Sequence, residues 1–368
     1  MKVAMLSKAL VVGAYHSKLA ELAALPDVDL AAIVPPAWRD ERGEIRLELA
    51  KPIGPYQLIV TPIRFNGSFH LHYYPQFDRL LEQLKPDIVH IDEEPYNLAT
   101  WLALRAARRV GARTLFFSWQ NLNRRYPFPF SAIERQVLSQ ADICLAGNQA
   151  ARQVWRAKGY RGPIEVIPQF GVDPTEFSPI DSPRADRFVI GYAGRLITDK
   201  GLDLLLRALA RLTGSWCAVI LGSGPERERL GVLAQQLNIQ TRVDFKAWLP
   251  SAQLPAFYRA LDVLVLPSRS QRNWQEQFGR TLVEAMACGV PVVGSTCGEI
   301  PNVIGDAGLI FPEEDAAALS AQLQRLQQDA ALRQRLAQRG RQRVLDHFTQ
   351  AQVARRTVDV YRRLMRIS

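Results

Sequence analysis

Glu276 and Glu284 bracket the segment Glu276-Gln-Phe-Gly-Arg-Thr-Leu-Val-Glu284, followed at once by Ala285-Met-Ala-Cys-Gly289-Val-Pro291. Carboxylates accept hydrogen bonds from hydroxyl groups, and ribose and sugars present little else. Gly279 stands near the start of an expected helix between the two acids. A helix rises about 1.5 Å per residue, so the interval spans at most about 12 Å, roughly the reach from a ribose across a diphosphate to an attached sugar. The helix start offers free N–H groups and a positive dipole end to a phosphate. Paired glutamates at this spacing also occur on solvated helices. Here Leu282, Val283, Ala285, Met286 and Ala287 surround Glu284, which places it among core-facing residues where a carboxylate needs partners.

A second constellation reads Gly191-Tyr-Ala-Gly194-Arg195-Leu-Ile-Thr-Asp-Lys200-Gly201. Gly194 permits close backbone approach, Arg195 offers a planar fork for phosphate, and Lys200 is a compact cation. A plain strand–turn–helix with solvated cations is the competing reading. Gly222-Ser-Gly-Pro follows another expected strand as a tight turn beside the presumed nucleotide. In the first half, Gly13 follows the first strand and either admits a phosphate or sugar or simply makes a turn. His90-Ile-Asp92-Glu93-Glu94-Pro-Tyr96-Asn97 sets an imidazole and three acids at a strand end. The acids either face a ligand or complement the dipole of a helix starting near Asn97. Ser118-Trp119-Gln120-Asn121 offers a ring and amides that suit a sugar.

The 368 residues predict two domains, with three as the alternative. With 48% hydrophobic and 22% charged residues, the composition is globular. The net charge of +10 attracts anions, yet the cations are scattered. No zinc finger or aromatic–basic interleave accompanies them, so nucleic acid is not expected as a partner. The four cysteines form no CxxC pair and read as buried hydrophobes in a reducing compartment. A cytoplasmic protein is expected, because the chain opens on a strand with no signal-peptide pattern and no apolar run reaches the roughly 18 residues of a membrane span. Arg105, Arg108 and Arg109, with Trp101 and Leu102, mark a cationic amphipathic helix, so peripheral contact with anionic lipid is a second expectation, against plain core packing. GxGxxG, GxxxxGK[ST], GxSxG, SxxK, HExxH and metal-ligand spacings are all missing, and no metal site is expected.

Short apolar runs alternate with amphipathic stretches, the pattern of βα units around parallel sheets. Strands are expected near residues 2–7, 30–34, 58–61, 87–91, 114–118, 143–146 and 164–167, and again near 188–192, 217–221, 243–247, 263–266, 290–294 and 308–311. Residues 168–187, rich in Pro and Gly, lose the rhythm and read as a linker. The last helix, about 349–366, carries Val353, Val358, Tyr361 and Leu364 on a helical period and is expected to return to the first domain.

With 191–201 and 276–291 in hand, the chain resembles the retaining GT-B glycosyltransferases of glycosyltransferase family 4. Leu-Gly222-Ser-Gly-Pro, Ala-Leu-Asp-Val-Leu-Val-Leu-Pro-Ser268 and Gly298-Glu299-Ile-Pro301 extend the resemblance across the second half, whereas the first half matches in rhythm more than in residues. The resemblance implies an α/β fold with two doubly wound Rossmann-like domains facing an interdomain cleft. Residues 1–180 plus about 349–368 would bind acceptor, and 185–348 would bind donor. It implies that Glu276 contacts donor-sugar hydroxyls, that Arg195 and Lys200 bind the diphosphate, that N–H groups near Thr281 and Leu282 meet the distal phosphate, that Glu284 holds the ribose, and that Lys246–Trp248 flank the base. It implies no tightly bound cofactor, only a nucleotide-diphosphate sugar as donor and a saccharide, lipid-linked or small-molecule acceptor. Relatives often place a histidine where this chain has Ser118–Asn121. Trp119, Gln120 or, from a neighbouring loop, His90 would take over that role. A nucleotide-sugar epimerase, with His90 and Glu94 as acid and base, and a non-catalytic nucleotide-sugar binder are the competing functions.

Overall fold

The computed structural model describes residues 1–40, 43–49, 54–180 and 187–366 and divides into two compact units. The first comprises Met1–Gly171 with Gln350–Ser368, the second Val172–Thr349. Asp181, Ser182 and Pro183 of the expected linker lie outside the described residues. Pro174, Glu176, Phe177 and Ser178 make their contacts within the second unit, where Arg259 and Arg341 donate to their carbonyls. The second unit therefore begins at Val172, ahead of the expected 185.

The first unit runs β1 (Lys2–Leu6), α1 (His16–Ala23), β2 (Asp29–Val34), β3 (Ala37–Asp40), β4 (Gly43–Arg46), β5 (Gln57–Val60), α2 (Phe77–Leu84), β6 (Ile88–Ile91), α3 (Leu98–Arg109), β7 (Arg113–Ser118), α4 (Phe130–Gln140), β8 (Ile143–Ala146), α5 (Gln149–Ala157) and β9 (Ile164–Val166). Its sheet has the order β5-β2-β1-β6-β7-β8-β9, all parallel. The antiparallel β3–β4 hairpin stands apart and was not anticipated, because its residues alternate polar and apolar without a clear run.

The second unit runs β10 (Phe188–Ala193), α6 (Leu202–Leu209), β11 (Trp216–Leu221), α7 (Arg227–Gln236), β12 (Val243–Lys246), α8 (Leu254–Arg259), β13 (Val263–Leu266), α9 (Arg280–Ala287), β14 (Val292–Ser295), α10 (Ile300–Ile304), β15 (Leu309–Phe311), α11 (Ala316–Gln328) and α12 (Ala330–His347). The strand order is β12-β11-β10-β13-β14-β15, again all parallel. The chain then enters α13 (Gln350–Arg366), part of the first unit. Among the described residues no helix is long and apolar enough to cross a membrane.

The central strands of each large sheet alternate their side chains between two packed faces. In β1, Ala4 and Leu6 join the core under α2–α5, while Val3 and Met5 join the opposite core with Val353, Val358, Tyr361 and Leu364 of α13. Both sheets reverse their winding once, between β1 and β6 and between β10 and β13. Loops at the carboxyl ends of those strands part there, which is where ligands of such sheets bind. After β1 and β6 come Ser7, Lys8 and Asp92–Glu94; after β10 and β13 come Gly194, Arg195 and Ser268.

Candidate functional site

In the second unit, glycine lets the loops at the winding reversal touch. A methyl group on Gly222 would sit 1.8 Å from the Gly194 carbonyl, so the turns after β10 and β11 meet backbone to backbone. Gly201, at φ +64°, presses the loop after β10 against the Pro267 carbonyl. Lys200, ending the short turn before it, is thereby brought to Glu276. Its Nζ donates to Glu276 Oε2 at 2.5 Å, the Ser268 hydroxyl donates to the same oxygen at 3.0 Å, and Nζ lies 4.7 Å from the centroid of the Trp274 ring. Glu276 is only 8% exposed. Its backbone is clamped from the loop after β14: Glu299 N–H donates to its carbonyl, and its own N–H donates to Cys297 Sγ. Gly298, at φ +54°, makes the clamp possible, since a methyl there would fall 2.2 Å from the Glu276 carbonyl oxygen.

Glu284 is 4% exposed on α9, and each of its carboxylate oxygens accepts one hydrogen bond. Tyr258 Oη donates to Oε2 at 2.6 Å, and Arg280 Nε donates to Oε1 at 2.7 Å. Burial, reinforced by the Glu284 charge, pushes the Tyr258 phenol well above its usual range, so it stays a donor. Gly279 caps α9 in the left-handed region, at φ +76°. Thr281 is half-exposed in the first turn. Leu282 departs from expectation: its side chain is fully buried, and its N–H already donates to the Gly279 carbonyl at 2.9 Å, because the helix opens with a tight turn. Arg195 is exposed after Gly194. Lys246 ends the edge strand β12, 3.6 Å from Asp244, and the Trp248 ring beyond it is 52% exposed.

The first unit corrects several expectations. His90 is a strand residue, not a loop residue. It is fully buried, its Nδ1 lies 2.6 Å from Tyr361 Oη, and burial with nearby Lys18 holds its pKa well below the usual imidazole value. An imidazole so placed supplies no proton to a sugar, and the epimerase reading loses one of its two side chains. Gly13 makes a turn, and its N–H donates to Glu48 Oε2 at 3.0 Å. Trp119 packs its ring against Gly147 and its Nε1 donates to Gln169. The acids after β6 do not cap α3. Asp92 accepts from Ser7 and Gln169, Glu93 pairs with Lys8, and Glu94 accepts from Ser118 Oγ and Trp119 N–H. On α3, Trp101 donates to Gln136 and carries Arg105 over its ring, so this part of the presumed lipid-facing surface serves packing.

Ser268, Trp274, Tyr258, Arg280 and Cys297 were not singled out from sequence. Ser268 closes a quoted motif, and Tyr258 is the one hydroxyl-bearing side chain within the apolar run of α8, both usable signals.

Residues 175–343 match the family model described as glycosyl transferases group 1, and residues 22–176 match the model for glycosyltransferase family 4. The chain is 32% identical over 295 residues to the lipopolysaccharide core biosynthesis glycosyltransferase LpsE of Rhizobium meliloti, covering 78% of this chain and 81% of that protein. It is 30% identical over 257 residues to a D-inositol 3-phosphate glycosyltransferase of Streptomyces bingchenggensis, covering 63% of this chain but only 55% of the relative, so the match spans about half that relative's length. A crystal structure of Anabaena Alr3699/HepE in complex with UDP superposes with a TM-score of 0.76 at 17% identity, over 98% of this chain and 99% of that one, which establishes a shared GT-B fold. With clamped, buried carboxylates at the winding reversal of its second sheet and these relatives, the chain belongs to glycosyltransferase family 4, the glycosyl transferases of group 1.

Proposed function

We propose that the protein is a retaining glycosyltransferase that moves a sugar from a nucleotide-diphosphate sugar to a saccharide, lipid-linked or small-molecule acceptor. The observation that carries this reading is Glu276, buried, clamped by Gly298 and Glu299, and charge-balanced by Lys200 beside Ser268. A carboxylate so fixed is preorganised to accept hydroxyl hydrogen bonds from a donor sugar. Arg195 and Lys200 supply the positive charge for the diphosphate. Glu284, oriented by Tyr258 and Arg280, takes the ribose hydroxyls, and Thr281 at the start of α9 faces the distal phosphate. Trp248 and Lys246 flank the base.

In the reaction the bond between the anomeric carbon and the diphosphate oxygen breaks, and a bond from the acceptor oxygen to that carbon forms. The acceptor proton passes to the departing phosphate, so no protein nucleophile is needed. Negative charge grows on the diphosphate as the sugar becomes cationic, and fixed cations and helix-end amides stabilise that charge without reorganising. The name of the Rhizobium relative makes lipid-linked core saccharides a first acceptor class to try. Contact of the exposed α3 cation Arg108 with anionic lipid is a separate proposal, which fails if the protein does not cosediment with anionic vesicles at low salt.

Melting curves with UDP, GDP, ADP and their hexose conjugates test the reading, because a ligand that prefers the native state raises the melting temperature. One nucleotide is expected to stand out, and its sugar conjugate is expected to release nucleoside diphosphate with a product of unchanged anomeric configuration. A flat panel sinks the donor site; an inverted product sinks retention alone.

A further inference from the structure

Lys200 carries its ammonium on a flexible four-carbon stem, so its contact with Glu276 needs support from outside the pair. One side of Nζ rests on the Trp274 ring, 4.7 Å from its centroid. Trp274 belongs to a turn that closes on itself: Gln271 N–H donates to the Trp274 carbonyl at 2.8 Å, and Trp274 N–H donates back to the Gln271 carbonyl at 3.2 Å. Ser270 to Asn273 are exposed, so burial does not hold this turn in place. The loop after β15 does. Glu313 takes both donors of Ser270, the backbone N–H on Oε2 and the hydroxyl on Oε1 at 2.9 Å. Its own N–H donates to Thr296 Oγ1 at 3.1 Å, which ties it to the residue after β14. Glu314 Oε1 lies 3.1 Å from Arg269 Nε, and Arg269 Nη2 donates to Asp203 on α6 at 2.6 Å. Arg269 N–H donates to the carbonyl of Asp199, the neighbour of Lys200, at 2.9 Å. Asp315, the third acid in the row, instead caps α11, accepting from Ala318 N–H at 2.8 Å.

We infer that Glu313 is a positioning residue of the donor site. By gripping Ser270 it fixes the 270–274 turn, and the turn seats Trp274 against Lys200 so that Nζ meets Glu276. The catalytic consequence rests on the transferase reading above; the mechanical link does not. Two hydrogen bonds to one carboxylate are of the strong, charge-assisted kind, which suits a fastening at an exposed turn. An ammonium has three N–H donors. With one bonded to Glu276 and the stem immobilised on the ring, another stays available to a phosphate oxygen. Little side-chain entropy is then lost when a diphosphate arrives, and the cation stands ready where charge develops. Displacing such a group by about 1 Å costs catalysis heavily, so a residue that touches no substrate still sets the rate.

Competitive acylation of the full chain with limiting acetic anhydride, read by peptide mass spectrometry, tests the link without any ligand. The Lys200 amine, shielded by Trp274 and Glu276, is compared with the exposed Lys246 of the same molecule. Glu313→Ala is expected to raise the Lys200 to Lys246 labelling ratio about tenfold, the factor that loss of one hydrogen bond to a charged group corresponds to. Glu313→Gln, which keeps one carbonyl acceptor, should raise it less. Asp315→Ala weakens the same loop through its helix cap and should leave the ratio at the wild-type value. An equal rise in Asp315→Ala, or an unchanged ratio in folded Glu313→Ala, overturns the inference. Catalysis is then read with the hexose conjugate of whichever of UDP, GDP and ADP raises the melting temperature. Glu313→Ala should lower kcat/KM for nucleoside diphosphate release about tenfold, and Glu313→Gln should restore part of the loss. A Glu313→Ala, Trp274→Leu double variant should lose little more than the worse single, because both act through one turn. If Trp274→Leu fails to fold, Trp274→Phe replaces it. Additive losses, or full activity in a variant whose Lys200 is unmasked, overturn the positioning role. A flat nucleotide panel with Lys200 unmasked by Glu313→Ala would instead sink the donor site and leave the link standing.

Discussion

The second unit fixes Glu276 after β13 and Glu284 on α9, the first unit Glu93 and Glu94 after β6, and the two pairs are treated differently. In the second unit each acid has one cation and one hydroxyl: Lys200 and Ser268 for Glu276, Arg280 and Tyr258 for Glu284. In the first unit the neighbours Glu93 and Glu94 diverge. Glu93 is fully buried, yet Lys8 and His72 outweigh the burial and hold its carboxyl down to about 2. Among the described residues the donors to Glu94 are the neutral Ser118 and Trp119; burial outweighs them and the charge of Lys8, and its carboxyl rises to about 7. Sheet position alone does not set the charge state of an acid; the partner does.

The largest effect expected from breaking this contrast is at Glu93. Removing its charge strands Lys8, so Glu93→Gln should cost roughly 3–5 kcal/mol of stability at pH 7, read by urea unfolding. The folded pKa is depressed, so the contribution is present above the ordinary value of 4.5 and is lost as pH falls toward about 2. Wild type and variant should converge there, and equal stability at pH 7 would refute the pairing. Next, Glu276→Gln should lower kcat/KM about 100-fold with the fold intact, the size of a lost charged hydrogen bond in the transition state. A Glu276→Gln, Lys200→Met double variant should lose less than the sum of the singles, because the two side chains form one pair. Glu284→Gln should weaken the stabilising nucleoside diphosphate about tenfold while sparing Glu276-dependent steps. Smallest is Glu94→Gln. The folded pKa is raised, so ionisation destabilises the wild type progressively from about pH 4.5 to about 7. The variant should melt roughly 2–4 °C higher at pH 8 and match the wild type at pH 4. No pH-dependent gain would show that Glu94 has a cationic partner in solution.

These outcomes also measure how far sequence reached. The βα rhythm located every strand of both large sheets, the central ones as continuous apolar runs because they are buried on both faces, and the edge strands β5 and β12 by their place in the alternation. Glu276, Lys200 and Glu284 were legible because local spacing marks them, with apolar flanks around Glu284 and glycines beside Lys200 and between the two acids. Their partners Ser268 and Tyr258 lie 8 and 26 residues away in sequence. Ser268 reaches Glu276 through the fold of the β13–α9 connection, and Tyr258 reaches Glu284 through the packing of α8 on α9, neither of which periodicity encodes. His90 misled for the same reason. Its neighbours in the chain are acids, but its neighbour in space is Tyr361, 271 positions on.

That last pairing bears on how the molecule is made. One wall of the first unit, with Val353, Val358, Tyr361 and Leu364, is supplied by α13, encoded after the whole second unit. Until α13 has been made, residues 1–171 carry a strip of sheet, with Val3, Met5, Ile88 and Leu115, that lacks this part of its cover. A nascent chain halted near residue 349 should thus recruit holdase chaperones, and a separately supplied peptide spanning 350–366 should release them.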